Sequence, residues 1–204
     1  MLQGGHVTTK RRAFPVLALL RSFLAVHLAC LALQPFPGAQ EISPDLEHQV
    51  KAAFLYNFAR FVEWPPDAPA GEGSFVIGVL GPDATSRALE ATVQGKSVGG
   101  RTIQVRPVKS QDEALQCHML FVGSETAERL RPMLKAVRGS AVLTVGDSEA
   151  FAREGGIVNF VMQDHHVRFA VNTDAAERAG LKISSKLLQL AIIVRDDNTP
   201  EGTR

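Results

Sequence analysis

Phe75-Val-Ile-Gly-Val-Leu80, halted by Gly81-Pro82-Asp83, is the stretch on which the fold turns. A half-buried strand alternates apolar and polar residues; this run does not, so it reads as a strand covered on both faces. The pattern after it repeats that logic. Ser86–Val93 has helical spacing, Gly95–Gly100 turns the chain, and Thr102–Val108 suits a second strand. Ser110 or Asp112 caps a short helix before the apolar run Cys117–Val122. Ser124 caps a helix over Glu125–Val137 that stops at Gly139, and Ala141–Val145 is again apolar. Ser148 caps a short helix through Arg153, broken by Gly155-Gly156. Short apolar strands separated by helices predict βαβ units and a mainly parallel sheet. The expected fold is α/β, a single three-layer domain with helices on both sheet faces.

Towards the C-terminus the pattern changes. Ile157–Met162 and Val167–Asn172 flank Gln163-Asp164-His165-His166, which predicts a β-hairpin extending the domain. Thr173 then caps a helix through Ala179 with Gly180 as its stop. Ser184–Ile193 reads as a final helix with Leu187, Leu188 and Ala191 turned inward. Residues 195–204 carry no periodic signal and read as a polar tail.

Upstream of the first strand, Gln49–Pro66 reads QVKAAFLYNFARFVEWPP. At 100° per residue Leu46, Val50, Phe54, Phe58 and Phe61 share one arc, predicting an amphipathic helix with an aromatic face. Ser43-Pro44 opens it as N-cap and first helical residue, and Trp64-Pro65-Pro66 closes it. Asn57 falls near Leu46 on that arc, so it is expected to be a buried structural amide that must find partners. Arg60 lies at the edge of the stripe, and the chain's one tryptophan sits at the helix exit. Trp and Arg dominate interface energetics more than other residue types, so Arg60, Phe61 and Trp64 are the candidate partner-binding residues.

The helix KAAFLYNFARFVEWPPDA resembles the opening helix of the YfiR-like family of periplasmic proteins. Further blocks resemble that family in the same order: FVIGVLG from Phe75, CHMLFV from Cys117, VLTVGDS from Val142, GGIVNF from Gly155 and AGLKISSKLL from Ala179. The resemblance covers nearly everything after residue 45. It implies a non-catalytic periplasmic regulator that binds the periplasmic sensor domain of an inner-membrane diguanylate cyclase. Holding that enzyme inactive would lower intracellular cyclic-di-GMP and biofilm formation. The resemblance leaves the oligomeric state open, a homodimer included.

Composition supports export. Lys10-Arg11-Arg12, the apolar run Phe23–Leu33 and Pro37-Gly38-Ala39 have the layout of a cleavable signal over residues 1–39. The α/β domain then occupies residues 40–194. Removal of the leader takes four basic residues and no acid, leaving 18 Lys and Arg against 21 Asp and Glu, a net charge of −3. A mildly acidic domain without a basic stripe is a poor nucleic-acid binder. Cys30 leaves with the leader, so Cys117 has no intramolecular partner and reads as a small buried hydrophobe.

Candidate chemistry is thin, and neither catalytic residues, cofactor nor metal are expected. Gly146-Asp147-Ser148 resembles a hydrolase motif, but none of His48, His118, His165 or His166 is framed as its base. His165-His166 are adjacent and point opposite ways on a strand, a poor metal spacing. Ser184-Ser185-Lys186 reads as a helix cap with a solvated lysine. The alternative function is a periplasmic small-molecule sensor. Its ligand would lie at the carboxyl edge of the sheet, lined by loops Gly81–Thr85, Gly123–Glu125 and Gly146–Ser148.

Overall fold

The first helix, α1, runs Pro44–Phe61. The Ser43 hydroxyl accepts the Leu46 N–H at 3.4 Å, and Pro44 occupies the first helical position. The computed structural model describes residues 43–66, 68, 73–81, 83–123, 127–148, 151 and 154–196. The proposed signal segment and residues 197–204 lie outside them, as do Ser124, Glu125 and Arg153. Among the described residues no helix is long and apolar enough to cross a membrane.

After α1 come β1 (Val62–Glu63), β2 (Ser74–Leu80), α2 (Ala84–Val93), β3 (Ser97–Val98), β4 (Arg101–Pro107) and α3 (Gln111–Leu115). Then follow β5 (Met119–Val122), α4 (Ala127–Val137), β6 (Leu143–Gly146), β7 (Val158–Gln163) and β8 (His166–Asn172). The chain ends through α5 (Thr173–Arg178), β9 (Lys182–Ile183), α6 (Ser185–Leu188) and β10 (Ile192–Val194). Among the described residues eight strands form one sheet in the order β10-β8-β7-β6-β5-β2-β4-β3, and β1 pairs antiparallel with β9 in a separate ribbon. The central strands β4, β2, β5, β6 and β7 run parallel.

The non-alternating runs are explained by burial on both faces. In β2, Phe75, Ile77 and Val79 join one core cluster while Val76 and Leu80 join the other. Likewise Met119 and Phe121 of β5 face one side, Leu120 and Val122 the other. That period of two gives the three layers. The α1 side holds Phe58, Phe160 and Phe169, with ring centroids 5.0–5.9 Å apart where they touch. The α4 side holds Leu130, Met133, Leu134 and Phe151. Phe151 is wedged against Gly146 and Gly156, where an added Cβ would come within 2.1 and 2.0 Å of its ring.

Four local expectations need correction. The buried face of α1 is Lys51, Ala52, Leu55, Phe58 and Ala59, rotated from the aromatic stripe, and Leu46 is exposed. The small Ala52 and Ala59 let α1 pack closely on its neighbours, so the large rings at Phe54 and Phe61 sit at the flanks. Asn57 goes with that rotation: it is half-buried, not buried. The hairpin itself forms as expected and extends the sheet, since β7 pairs with β6 as well as with β8. Its turn is only Asp164-His165, both at positive φ (49° and 59°), the geometry that matches strand twist. Finally, the last helix is a single turn. Ile192–Val194 leaves it to pair parallel with β8, where β-branched residues gain ladder hydrogen bonds that a solvent-facing helix end would not supply. At the start of α5 the cap is Asn172, whose Oδ1 accepts the Ala175 N–H at 2.9 Å, and not Thr173. Asn172 also donates to Asp196 at 2.7 Å, so the first residues after β10 are held down.

Candidate functional site

The end of α1 carries an aromatic–cation patch. Arg60 is exposed, and its guanidinium carbon lies 5.6 Å from the Tyr56 ring centre and 5.7 Å from that of Phe61. Lys96 approaches the same Tyr56 ring at 4.6 Å. Tyr56 and Phe61 are half-buried. Helical spacing explains the first contact, since Tyr56 and Arg60 stand one turn apart, while Phe61 is the next residue along the chain. Trp64, also half-buried, lies beyond β1. Its ring meets Phe75 edge-on at 5.0 Å, and its indole N–H donates to the His118 carbonyl at 3.0 Å. Arg60, Phe61 and Trp64 thus lie around one helix exit, with Trp64 anchored rather than free.

Behind Trp64 is a cavity of about 350 Å³ at the amino ends of β2, β4 and β5. Trp64, Phe75, Val98, Arg60, Arg101 and His118 are among its walls. His118 is buried at the start of β5, stacked on Phe75 at 4.7 Å. Its Nδ1 accepts the backbone N–H of Val76 at 3.1 Å, where pairing between β2 and β5 runs out. Its Nε2 is 3.1 Å from an Arg101 guanidinium nitrogen. Burial, and then the Arg101 charge, hold the imidazole below its ordinary pKa, so it is neutral at physiological pH.

At the carboxyl edge of the sheet the arrangement is different. Lys51, only 4% exposed, reaches from α1 to Glu47 at 2.5 Å and to the two Asp147 oxygens at 3.0 and 2.8 Å. Burial alone would lower the Lys51 pKa, but the hydrogen bonds and charges of Asp147 and Glu47 hold it above the ordinary value. Burial pushes the Asp147 carboxyl up. Lys51 opposes this, while Glu47 and Asp83 reinforce it. The two directions are consistent, because one cation is shared by more than one acid. Asp83 caps α2 through the Ser86 N–H at 2.8 Å, and His48 Nδ1 lies 2.9 Å from the Thr85 hydroxyl. The expected ligand loops therefore have Asp83 and Asp147 already engaged, and residues 82, 124 and 125 lie outside the described chain. The cavity seen behind Trp64 is at the opposite edge.

The remaining motifs stay apart. Asp147 of the Gly-Asp-Ser sequence serves Lys51; His165 and His166 sit at the hairpin end, with His166 Nδ1 2.6 Å from the Asp164 carbonyl. Lys186 is exposed on α6, and Ser184 caps it by accepting the Leu187 N–H at 3.3 Å. Among the described residues no group of three His, Cys, Asp or Glu is placed to hold a metal. Sequence reasoning missed Lys51, Arg101 and His118. Only Lys51 carried a signal, as a lysine four residues after Glu47 and beside the buried Ala52.

A mixed eight-stranded α/β domain with an aromatic–cation rim and an amino-edge cavity defines the class of protein. The chain belongs to the YfiR/HmsC-like family, whose model matches residues 48–192. Comparison with curated proteins gives no match. Among solved structures, a conserved domain protein from Vibrio cholerae superposes with a TM-score of 0.52 at 12% identity, covering 70% of this chain and 59% of its own. The ABC domain from Streptococcus pneumoniae in complex with L-Trp gives a TM-score of 0.48 at 14% identity, over 72% and 60%. The chain thus spans about three-fifths of each of these chains, and the first likeness supports the α/β fold alone.

Proposed function

We propose that this protein is a non-catalytic periplasmic regulator that binds the periplasmic domain of an inner-membrane diguanylate cyclase and holds it inactive. Membership of the YfiR/HmsC-like family supports this reading. The observation that carries it is the patch at the α1 exit, where exposed Arg60 lies over two half-buried rings beside Trp64. Large amphipathic rings next to an arginine supply apolar area and directional donors together, which is how hot spots are composed. A repressor needs only higher affinity for the inactive state of its partner. Export through the leader at residues 1–39 belongs to the same proposal.

The test is genetic and then biochemical. Deleting the gene should raise cyclic-di-GMP and biofilm, and complementation with Arg60→Glu should fail although the variant accumulates and melts normally. An unchanged cyclic-di-GMP level in the deletion strain, with the cognate cyclase present, would refute the proposal. A second reading, small-molecule sensing, is favoured by the cavity behind Trp64, and it is compatible with the first.

A further inference from the structure

The contact between Arg101 and His118 cannot be an ordinary hydrogen bond. A backbone N–H is always a donor, so Nδ1 of His118, facing Val76 at 3.1 Å, must carry the lone pair. A neutral imidazole then places its proton on Nε2, because it has one of each. Yet Nε2 is 3.1 Å from Arg101, whose guanidinium offers only donors. Two N–H groups therefore face each other at the wall of a cavity, with no acceptor among the described residues between them. Protonating the ring would add charge repulsion against the guanidinium.

Two convergent donors are satisfied together by one oxygen-bearing group, and a carboxylate accepts from both while neutralising the arginine. The rest of the wall has the matching chemistry. Arg60 adds a second positive charge, none of the described lining residues is acidic, and Trp64, Phe75 and Val98 supply apolar surface. About 350 Å³ suits a small organic molecule, at the lower end of the range for ligand pockets. We infer that this cavity binds a small carboxylate with an apolar or aromatic body, its carboxylate bridging the Arg101 guanidinium and the Nε2–H of His118. Its body lies along Trp64 and Phe75. This site goes beyond the partner-binding proposal and does not rest on it, since the isolated protein suffices for the test.

Trp64 is the chain's one tryptophan, so its fluorescence reports occupancy directly. The purified protein is titrated with benzoate, phenylacetate and hexanoate, and with the corresponding uncharged amides. At least one carboxylate should give a saturable change, with its amide about tenfold or more weaker, since each charge-assisted hydrogen bond is about twice as strong as a neutral one and the amide loses the charge from both contacts. Arg101 is exposed, so Arg101→Gln should fold, verified by circular dichroism, and bind acid and amide alike. No saturable response to any of the three acids, amides binding as well as acids, or undiminished acid binding by R101Q would each overturn the inference. A measurement on the unsubstituted protein stands beside these: nitrogen-15 shifts should show the Nε2–H tautomer of His118, and an Nδ1–H tautomer overturns it.

Discussion

Replacing Lys51 by Met should destabilise this protein in a way that depends on pH. Met matches the lysine stem in length and helix propensity, so the substitution removes mainly the charge. The ammonium is lost from 2.5–3.0 Å contacts with Glu47 and Asp147, whose side chains are 27% and 17% exposed. Breaking a buried ion pair costs about 3–5 kcal/mol. Residual hydration of both carboxylates shields part of this, so about 2–4 kcal/mol is expected at neutral pH. In a domain of this size each kcal/mol moves Tm by about 2–4 °C, so the loss is readable by thermal unfolding. The pH sign follows from the directions at the site. Lys51 is held above its ordinary value of 10.5, so its contribution is present below that pH and disappears as pH climbs through the raised value. Asp147 is also raised, so its folded state takes up a proton more readily than the unfolded chain and gains stability as pH falls from neutral. Without Lys51 that gain must grow, because nothing opposes the burial of the acid. The stability gap between native protein and K51M should therefore narrow between about pH 7 and about pH 4. Adding Asp147→Asn to K51M should recover part of the loss at neutral pH. A loss under about 1 kcal/mol, or a gap unchanged across that pH range, would refute the reasoning.

Trp64→Phe should cost only about 0.5–1 kcal/mol in urea unfolding, because the His118 carbonyl still accepts the Leu143 N–H at 2.9 Å. Trp64→Ala also strips the ring from Phe75 and should cost about 2–3 kcal/mol; a loss below about 1 would show that the ring is not packed. Gly156→Ala places a methyl 2.0 Å from the buried Phe151 ring, so a loss of about 3 kcal/mol or more is expected, partly recovered by Phe151→Leu. Burial pushes the Cys117 thiol up to about 11, so in the leaderless protein Ellman's reagent should find no reactive thiol until denaturant is added. Asn57→Leu should shift stability by less than about 0.5 kcal/mol, since the side chain is only half-buried; a large loss would point to a structural amide after all.

Much of the fold was legible because its signals are local. A cap such as Ser43 or Ser110 acts within three residues, and a run such as Phe75–Leu80 declares its own burial. Gly180, at φ 67°, ends α5 as its place in the chain predicted. What the chain could not declare by itself depends on partners far along it. The rotation of α1 is set by Asp147, 96 residues away, and by the aromatic layer of β7 and β8. Ile192–Val194 follows a helical turn in sequence but becomes a strand because the edge of β8 is free to pair. The cavity lies at the amino ends of the strands, although the usual expectation for parallel sheets directs attention to the carboxyl ends. Sequence patterning determined which residues make strands, helices and caps, since those choices rest on neighbours within a few positions. Only the tertiary structure decided that Trp64, Arg101 and His118 share a wall, because sheet register brings three distant segments together and no local period encodes it.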